Sequence, residues 1–366
     1  MKRQKLKIIF IVLTFICASV SAFAQTTPTP KVEEEVLKIE SRLVIVPVSV
    51  TDANGQPITG LKAQDFRVAE DNQKQEIAQV SDAEKVPLEI ALLFDISAST
   101  DSMFQFEQET AAQFLREVMR PEDRATIFTV GENPFMVQAR ATAENAAIAV
   151  KNIQPTKQQT AFYDTVSAAA AYLQKSELQG RRKVLIVISD GEDTSSKGVT
   201  KAIWEAERKI VEANISYDEL RSIRVKARND AKLKEQNKVL QSLQNADTVF
   251  YAINPAGNSY QLNKMSIFGQ SNLQKFADET GGTSFLPKLQ PTDLKDIFQN
   301  STNLKKNQVI LTKIFRQLIN ELQAQYLVQY YSEGNFPNNK YVRLDVGLTN
   351  PSNARVRARQ GYFVKK

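Results

Sequence analysis

The chain lacks histidine altogether and has one cysteine, Cys17, in 366 residues. The first absence removes Ser-His-Asp hydrolysis, Cys-His proteolysis and every His-ligated zinc site. The second leaves no partner for a disulfide within the chain and no thiolate cluster for iron and sulfur. Any metal held here must be a hard ion on oxygen ligands. A charge excess is also nearly missing. The 47 Lys and Arg against 41 Asp and Glu give a net +6, but Lys2, Arg3, Lys5 and Lys7 sit in an N-terminal leader. Without them 43 basic residues face 41 acidic ones, a net of +2. That balance argues against a general nucleic-acid binder. Long apolar runs are scarce too. Ile8 to Val20 is short for a membrane span. Between a basic n-region and the small-x-small site Ala22-Phe23-Ala24, it reads as the core of a signal peptide over residues 1–24, cleaved after Ala24. Ile16 is bulky where a lipidated Cys17 would need a small neighbour. The expected mature protein is secreted, periplasmic or held at the cell envelope, with no stable span.

What is present is ordinary globular composition, 42% hydrophobic and 24% charged, enough for one large domain or two smaller ones. Residues 25–39 (QTTPTPKVEEEVLKI) are polar, then acidic, and read as a linker. Residues 40–85 carry strand grammar. Leu43, Ile45, Val48 and Val50 lie in a β-branched run that ends at the turn signal Asn54-Gly55. Phe66–Val68 and Gln75–Val80 read as two more strands around a turn at Glu70–Gln73. This is part of an antiparallel β-sandwich, too small to close a core alone.

From residue 86 to 325 the grammar is α/β. Leu88–Phe94 and Lys183–Ser189 are continuous apolar runs, as expected of parallel strands buried on both faces. Further strands are expected at 124–130, 247–253 and 283–286, and helices at 104–119, 144–153, 161–173, 272–280 and 302–324. The alternation implies a doubly wound, mostly parallel sheet with right-handed crossovers. Residues 201–245 exceed what a crossover needs and are rich in Lys and Arg. They read as a helical insertion, either a solvated face or an arm that meets a partner or a membrane surface. Strand grammar returns over 326–366, with Tyr326, Tyr330 and Tyr331 in an alternating run and strands at 341–347 and 355–364. These strands are expected to complete the sandwich, so that the α/β domain is inserted in it or flanked by it.

The candidate chemistry lies after the two apolar strands. Asp95-Ile96-Ser97-Ala98-Ser99 follows the first, and alternation lets Asp95, Ser97 and Ser99 converge. Asp190 follows the second, in Ser189-Asp190-Gly191. In a doubly wound sheet ligands bind outside the carboxyl ends of the strands, so both carboxylates reach one edge. Thr160, in QQTAFYD, stands at a helix start, where it is either a further oxygen ligand or an N-cap. Several other positions read as structural. Trp204 is expected to anchor its helix by packing, Glu192 and Asp193 to be solvated or to tune the field of Asp190, and Asp164 to face solvent or cap its helix.

Asp95-x-Ser97-x-Ser99, then Thr160, then Asp190, in that order and each at a strand or helix end, is similar to the metal-ion-dependent adhesion site of von Willebrand factor type A domains. The resemblance covers about residues 87–325, and the flanking strands resemble those of bacterial secreted proteins with a related domain. It implies a Rossmann-like fold and Asp95, Ser97, Ser99, Thr160 and Asp190 as ligands of one Mg²⁺, with Mn²⁺ or Ca²⁺ also acceptable to oxygen donors. It implies as partner a protein ligand whose Asp or Glu completes the coordination, and a binding rather than a catalytic role. The long insertion departs from the family pattern. Two other functions are compatible with the residues. One is a structural component of an envelope assembly in which the metal only stabilises. The other is a Mg²⁺-dependent hydrolase, opposed by Ser97 where a second carboxylate would be needed and by the lack of a Gly-rich phosphate loop.

Overall fold

The computed structural model describes residues 42–365 apart from 83–84, 98–100, 157, 179, 211–215, 256–263, 293–294 and 351–352. The signal peptide, the linker and Ser99 therefore lie outside the described residues. A six-stranded sheet forms the centre, built from β5 (Leu88–Asp95), β6 (Arg124–Val130), β7 (Phe135–Ala141), β8 (Arg182–Ile188), β9 (Thr248–Ile253) and β10 (Ser284–Phe285). Its order is β10-β9-β8-β5-β6-β7, parallel throughout except for β7. The chain leaves β5 for β6 on one side and returns to β8 on the other. Strand order therefore reverses at β5, which makes its carboxyl end the switch point of the sheet.

The apolar run of β5 is divided by the two-residue period of a strand. Ile90, Leu92 and Phe94 enter one core with α1 (Asp101–Val118), α2 (Ala143–Lys151) and α7 (Ile297–Gln323). Ala91 and Leu93 enter the other with α3 (Phe162–Gln174), the C-terminal half of α5 (Tyr217–Asn245) and α6 (Lys264–Thr280). Both faces are covered, so the strand needs no polar side, and its sequence has almost none.

The two ends of the chain close a sandwich. One sheet has the order β13-β1-β11-β4 and the other β14-β12-β2-β3. They use β1 (Arg42–Thr51), β2 (Phe66–Glu70), β3 (Gln73–Gln75) and β4 (Ile77–Asp82) from before the central sheet. From after it they use β11 (Gln325–Ser332), β12 (Tyr341–Leu348), β13 (Arg355–Ala358) and β14 (Gly361–Phe363). Val44, Val46, Val48, Val328, Tyr330, Val342 and Leu344 share the core between them. Neither terminal segment could bury these residues alone.

Four features differ from the sequence expectation. Strand 355–364 is two strands in two different sheets, broken at Arg359-Gln360. Edge strand β7 was not expected, because its seven residues are largely exposed and carry no clear alternation. Trp204 on α4 (Lys197–Ile210) is 59% exposed and lies under Arg208, so it does not anchor its helix by packing. Within the insertion, the first half of α5 is solvated. Its second half buries Ala231, Val239 and Leu243. No helix among the described residues is long and apolar enough to cross a membrane.

Glu70 shows how the two ends are locked. Its carboxylate is 1% exposed and accepts hydrogen bonds from Tyr330 Oη at 2.6 Å, Tyr362 Oη at 2.6 Å and Ser332 Oγ at 2.7 Å. Removing it leaves three buried hydroxyls to find new partners. Glu70→Ala is expected to cost about 2–5 kcal/mol in urea unfolding. An unchanged midpoint would show that this carboxylate does not hold the sandwich.

Candidate metal centre

The switch point brings three loops together. Ile96 N donates to Val130 O at 3.2 Å, Thr156 N to Ile96 O at 2.7 Å and Ala161 N to Gly131 O at 2.7 Å. These bonds set Thr156 and Ala161 beside the carboxyl ends of β5 and β6. A further latch fixes Thr160 to the loop after β8. Thr194 N and Ser195 N donate to Thr160 O, and Thr160 Oγ1 donates to Glu192 O at 3.2 Å. Thr160 does not cap α3: the cap position is Ala161, and no side chain caps there. Its hydroxyl is free of the role that competed with ligation.

Asp95 and the Asp190 loop meet through Ser189. Ser189 Oγ donates to Asp95 Oδ2 at 2.5 Å and accepts Gly191 N at 3.0 Å. The other oxygen of Asp95 accepts Ser97 N at 3.0 Å, a turn that bends the chain immediately after the strand. Asp190 Oδ1 accepts Glu192 N at 2.9 Å. Gly191 has φ +75°, and the backbone of α6 crosses it so closely that a Cβ would lie 2.5 Å from Gly269 O. Glycine at both crossing points lets the helix press on the loop and orient Asp190. Of the five expected ligands, Asp95, Ser97, Thr160 and Asp190 lie at this one edge.

The centre is negative and uncompensated. Burial raises Asp95, against hydrogen bonds from Ser189 and Ser97 that lower it. Burial pushes Asp190 up to about 6, helped by the charges of Asp95 and Glu192. Glu107, on α1, is 5% exposed and is pushed up to about 8 by burial and by the charge of Asp95. Its Oε1 has no hydrogen-bond partner. No ion pair among the described residues reaches Asp95, Glu107 or Asp190. Buried carboxylates in such a setting call for a cation. No group of three or more acidic side chains with metal-ligand geometry occurs among the described residues. The donors expected from the sequence, Asp95 and Asp190 with the hydroxyls of Ser97 and Thr160, would leave room for water and suit a hard divalent ion.

Glu107 and Ser189 were not singled out in the sequence. A signal for Glu107 exists: it falls on the apolar stripe of its helix, four residues before Ala111 and seven before Phe114. Ser189 was visible only as the last residue of an apolar strand. Asp193 corrects the surface reading. It is 2% exposed, and its Oδ1 accepts Tyr163 N at 3.3 Å and the hydroxyl of Ser196. Asp164 caps the next helix rather than its own, accepting Lys197 N at 2.9 Å.

Residues 90–192 match the family model described as von Willebrand factor type A domain. This segment is a von Willebrand factor type A domain. The match spans Asp95, Ser97, Thr160 and Asp190, together with Glu107 and Ser189. No curated protein matches the chain. Among solved structures, proximal thread matrix protein 1 from the mussel byssus shares 12% identity at a TM-score of 0.41, over 69% of this chain and 50% of that one. A second structure of it, with a zinc occupied MIDAS motif, shares 13% identity at a TM-score of 0.37 over the same shares. Conserved hypothetical protein BatB from Bacteroides thetaiotaomicron shares 15% identity at a TM-score of 0.33, over 60% of this chain and 99% of that one. The chain spans about half the length of the mussel chains it matches.

The crossing at Gly191 gives a test of the A domain's architecture. Gly191→Ala meets both a positive φ and a steric block, and is expected to destabilise the protein by about 2–4 kcal/mol. Thermal unfolding checks it. A melting temperature equal to that of the wild type would mean that α6 does not clamp this loop.

Proposed function

We propose that the A domain is an extracytoplasmic protein-binding module that holds one divalent cation, Mg²⁺ in preference, and captures an Asp or Glu of a protein ligand. The supporting observation is the uncompensated carboxylate cluster at the switch point, with hydroxyl donors latched beside it. Asp95 and Asp190 supply the carboxylates. Ser97 and Thr160 supply hydroxyls, and Ser99 completes the motif in sequence. A bound divalent ion supplies residual positive charge to an incoming carboxylate, because two carboxylates and neutral oxygens leave it unsaturated. Ser189 orients Asp95, while Gly191 and Gly269 set the position of Asp190. Glu107, raised to about 8 by burial and by the charge of Asp95, is mostly protonated near neutral pH, and a cation at the site would favour its ionised form.

The role proposed is binding, not catalysis. Ser97 stands where a phosphoryl-transfer carboxylate pair would need its second acid. The signal peptide read from residues 1–24 supports a location outside the cytoplasm, free or at the envelope. The last helix offers a route from the site to the sandwich. Phe315 of α7 packs on Phe114 of α1, with ring centroids 5.3 Å apart, and α1 carries Glu107. At the other end of α7, Ala324 O accepts Val50 N at 3.1 Å and Glu321 O accepts Ser49 Oγ at 3.2 Å, both from β1. A displacement of α1 on ligand capture would be passed to the sandwich along this helix.

Calorimetric titration with Mg²⁺ is expected to give saturable heat for the wild type and none for Asp95→Ala. A concentration of Mg²⁺ about 100 times its Kd should stabilise only the wild type, by about 2.7 kcal/mol. Equal heats from the two proteins would refute metal binding at this loop. In affinity capture from envelope extract with Mg²⁺ present, the ligand is expected to elute with EDTA. Chelation that lowers the melting temperature but releases nothing would favour a structural metal.

A further inference from the structure

A second site lies at the opposite edge of the central sheet. Where β8 and β9 begin, a cavity of about 640 Å³ opens between the sheet's amino-terminal edge and the β1–β11 face of the sandwich. Its size is that of a small-molecule site, for which about 300–1,000 Å³ is usual. Six cationic side chains line it, Arg42, Arg181, Arg182, Lys183, Arg359 and Lys365, against the single carboxylate of Asp247. That carboxylate is already taken by Arg359, whose Nη1 reaches it at 2.9 Å.

The unused donors are specific. Arg359 is 7% exposed, and its Nε is buried without a hydrogen-bond partner. The Nε of Arg42 is in the same condition, although Arg42 Nη2 donates to Tyr362 Oη at 2.9 Å. Lys183 is half-buried and in no ion pair among the described residues. Burial pushes its ammonium down, Asp247 and Glu89 oppose the shift, and Lys365 adds to it. Six cations on one cavity wall, with a single carboxylate that is already paired, repel one another at a cost that a bound anion would reduce. The remaining wall is apolar. Leu43 and Ile45 on β1 are 45% and 42% exposed here, beside Leu327 and Phe363.

We propose that this cavity binds a small amphipathic anion, a phosphate or carboxylate head with a short apolar tail. The head meets the Lys183 ammonium and the charge of the Arg42 and Arg359 guanidinium groups that line the cavity, and the tail lies on Leu43, Ile45 and Leu327. The site is separate from the metal centre, which follows the carboxyl ends of the same strands, and it does not depend on metal binding.

The test is calorimetry and native mass spectrometry on the purified mature protein in EDTA, with four probes kept below micellar concentration. These are octyl phosphate, sodium octanoate, inorganic phosphate and octyl glucoside. One equivalent of octyl phosphate or octanoate is expected to bind, at least about tenfold more tightly than inorganic phosphate, because the tail adds buried apolar area. The tighter of the two identifies the head. Octyl glucoside, with a neutral head, should not bind as a single equivalent. Lys183→Met, which keeps an unbranched stem, is expected to weaken binding about tenfold, while Lys201→Met leaves it unchanged. Lys365→Met serves as a second variant should Lys183→Met lower the melting temperature. Equal binding of octyl phosphate and octyl glucoside would overturn the proposal. So would wild-type affinity in both lining variants.

Discussion

The hydrogen bond from Ser189 to Asp95 joins the carboxyl ends of two adjacent buried strands, and the site is arranged around it. Strand β5 is apolar from Ile90 to Phe94 because helices cover both faces, and the next polar side chain after Glu89 appears only where the strand leaves the sheet. That residue is an aspartate at the point where strand order reverses. Ser189 performs the same transition on β8, and the bond between them sets the two loops in register. The cost is concentrated negative charge. Asp95, Asp190 and Glu107 are raised together, chiefly by burial, and none has a basic partner among the described residues. A protein that keeps three such groups near one another, without a lysine or arginine among them, retains a site whose free energy falls when a cation enters.

The sandwich supplies the frame for this edge. It is assembled from both ends of the chain, and its attachment to the α/β domain is made of directional bonds. Arg182, at the start of β8, donates to Leu322 O at 2.9 Å and to Gln325 Oε1 at 2.8 Å. Gln325 in turn donates to Tyr251 Oη on β9 at 3.1 Å. Strand β8 thus carries Arg182 and Lys183 at its amino end and leads into Asp190 at its carboxyl end. The two edges are suited to ligands of opposite charge, a cation at one and an anion at the other, though the chain as a whole is close to neutral.

Polar burial also explains why α5 is not a simple solvated arm. Its second half reaches the underside of the metal loop. Gln236 donates to Asn272 Oδ1 at 2.8 Å, Asn272 donates to Tyr163 Oη at 3.0 Å, and Tyr163 N donates to Asp193. Lys232 is 5% exposed and lies over the ring of Phe268. The basic character that suggested an insertion facing outward is in part the counter-charge of the acids it packs beneath.

The sequence by itself determined the elements whose signal is local. A strand buried on both faces is apolar at nearly every position, so β5 and β8 announced themselves, as did the aspartates at their ends and the two-part sandwich with its alternating valines. Only the tertiary structure decided what depends on meeting across the chain. Glu107 matters because α1 brings it near enough for the charge of Asp95 to raise it, and Thr160 does not cap because the helix begins two residues later. Asp193 is a buried acceptor because α3 and α4 converge on it. The split of residues 355–363 between two sheets has the same origin: one apolar stretch can satisfy two partners, and the partners, not the stretch, choose where it breaks. The basic cavity lies furthest from sequence, since its arginines and lysines come from four separate stretches, at residues 42, 181–183, 359 and 365, and their shared surroundings exist only once both ends of the chain have paired.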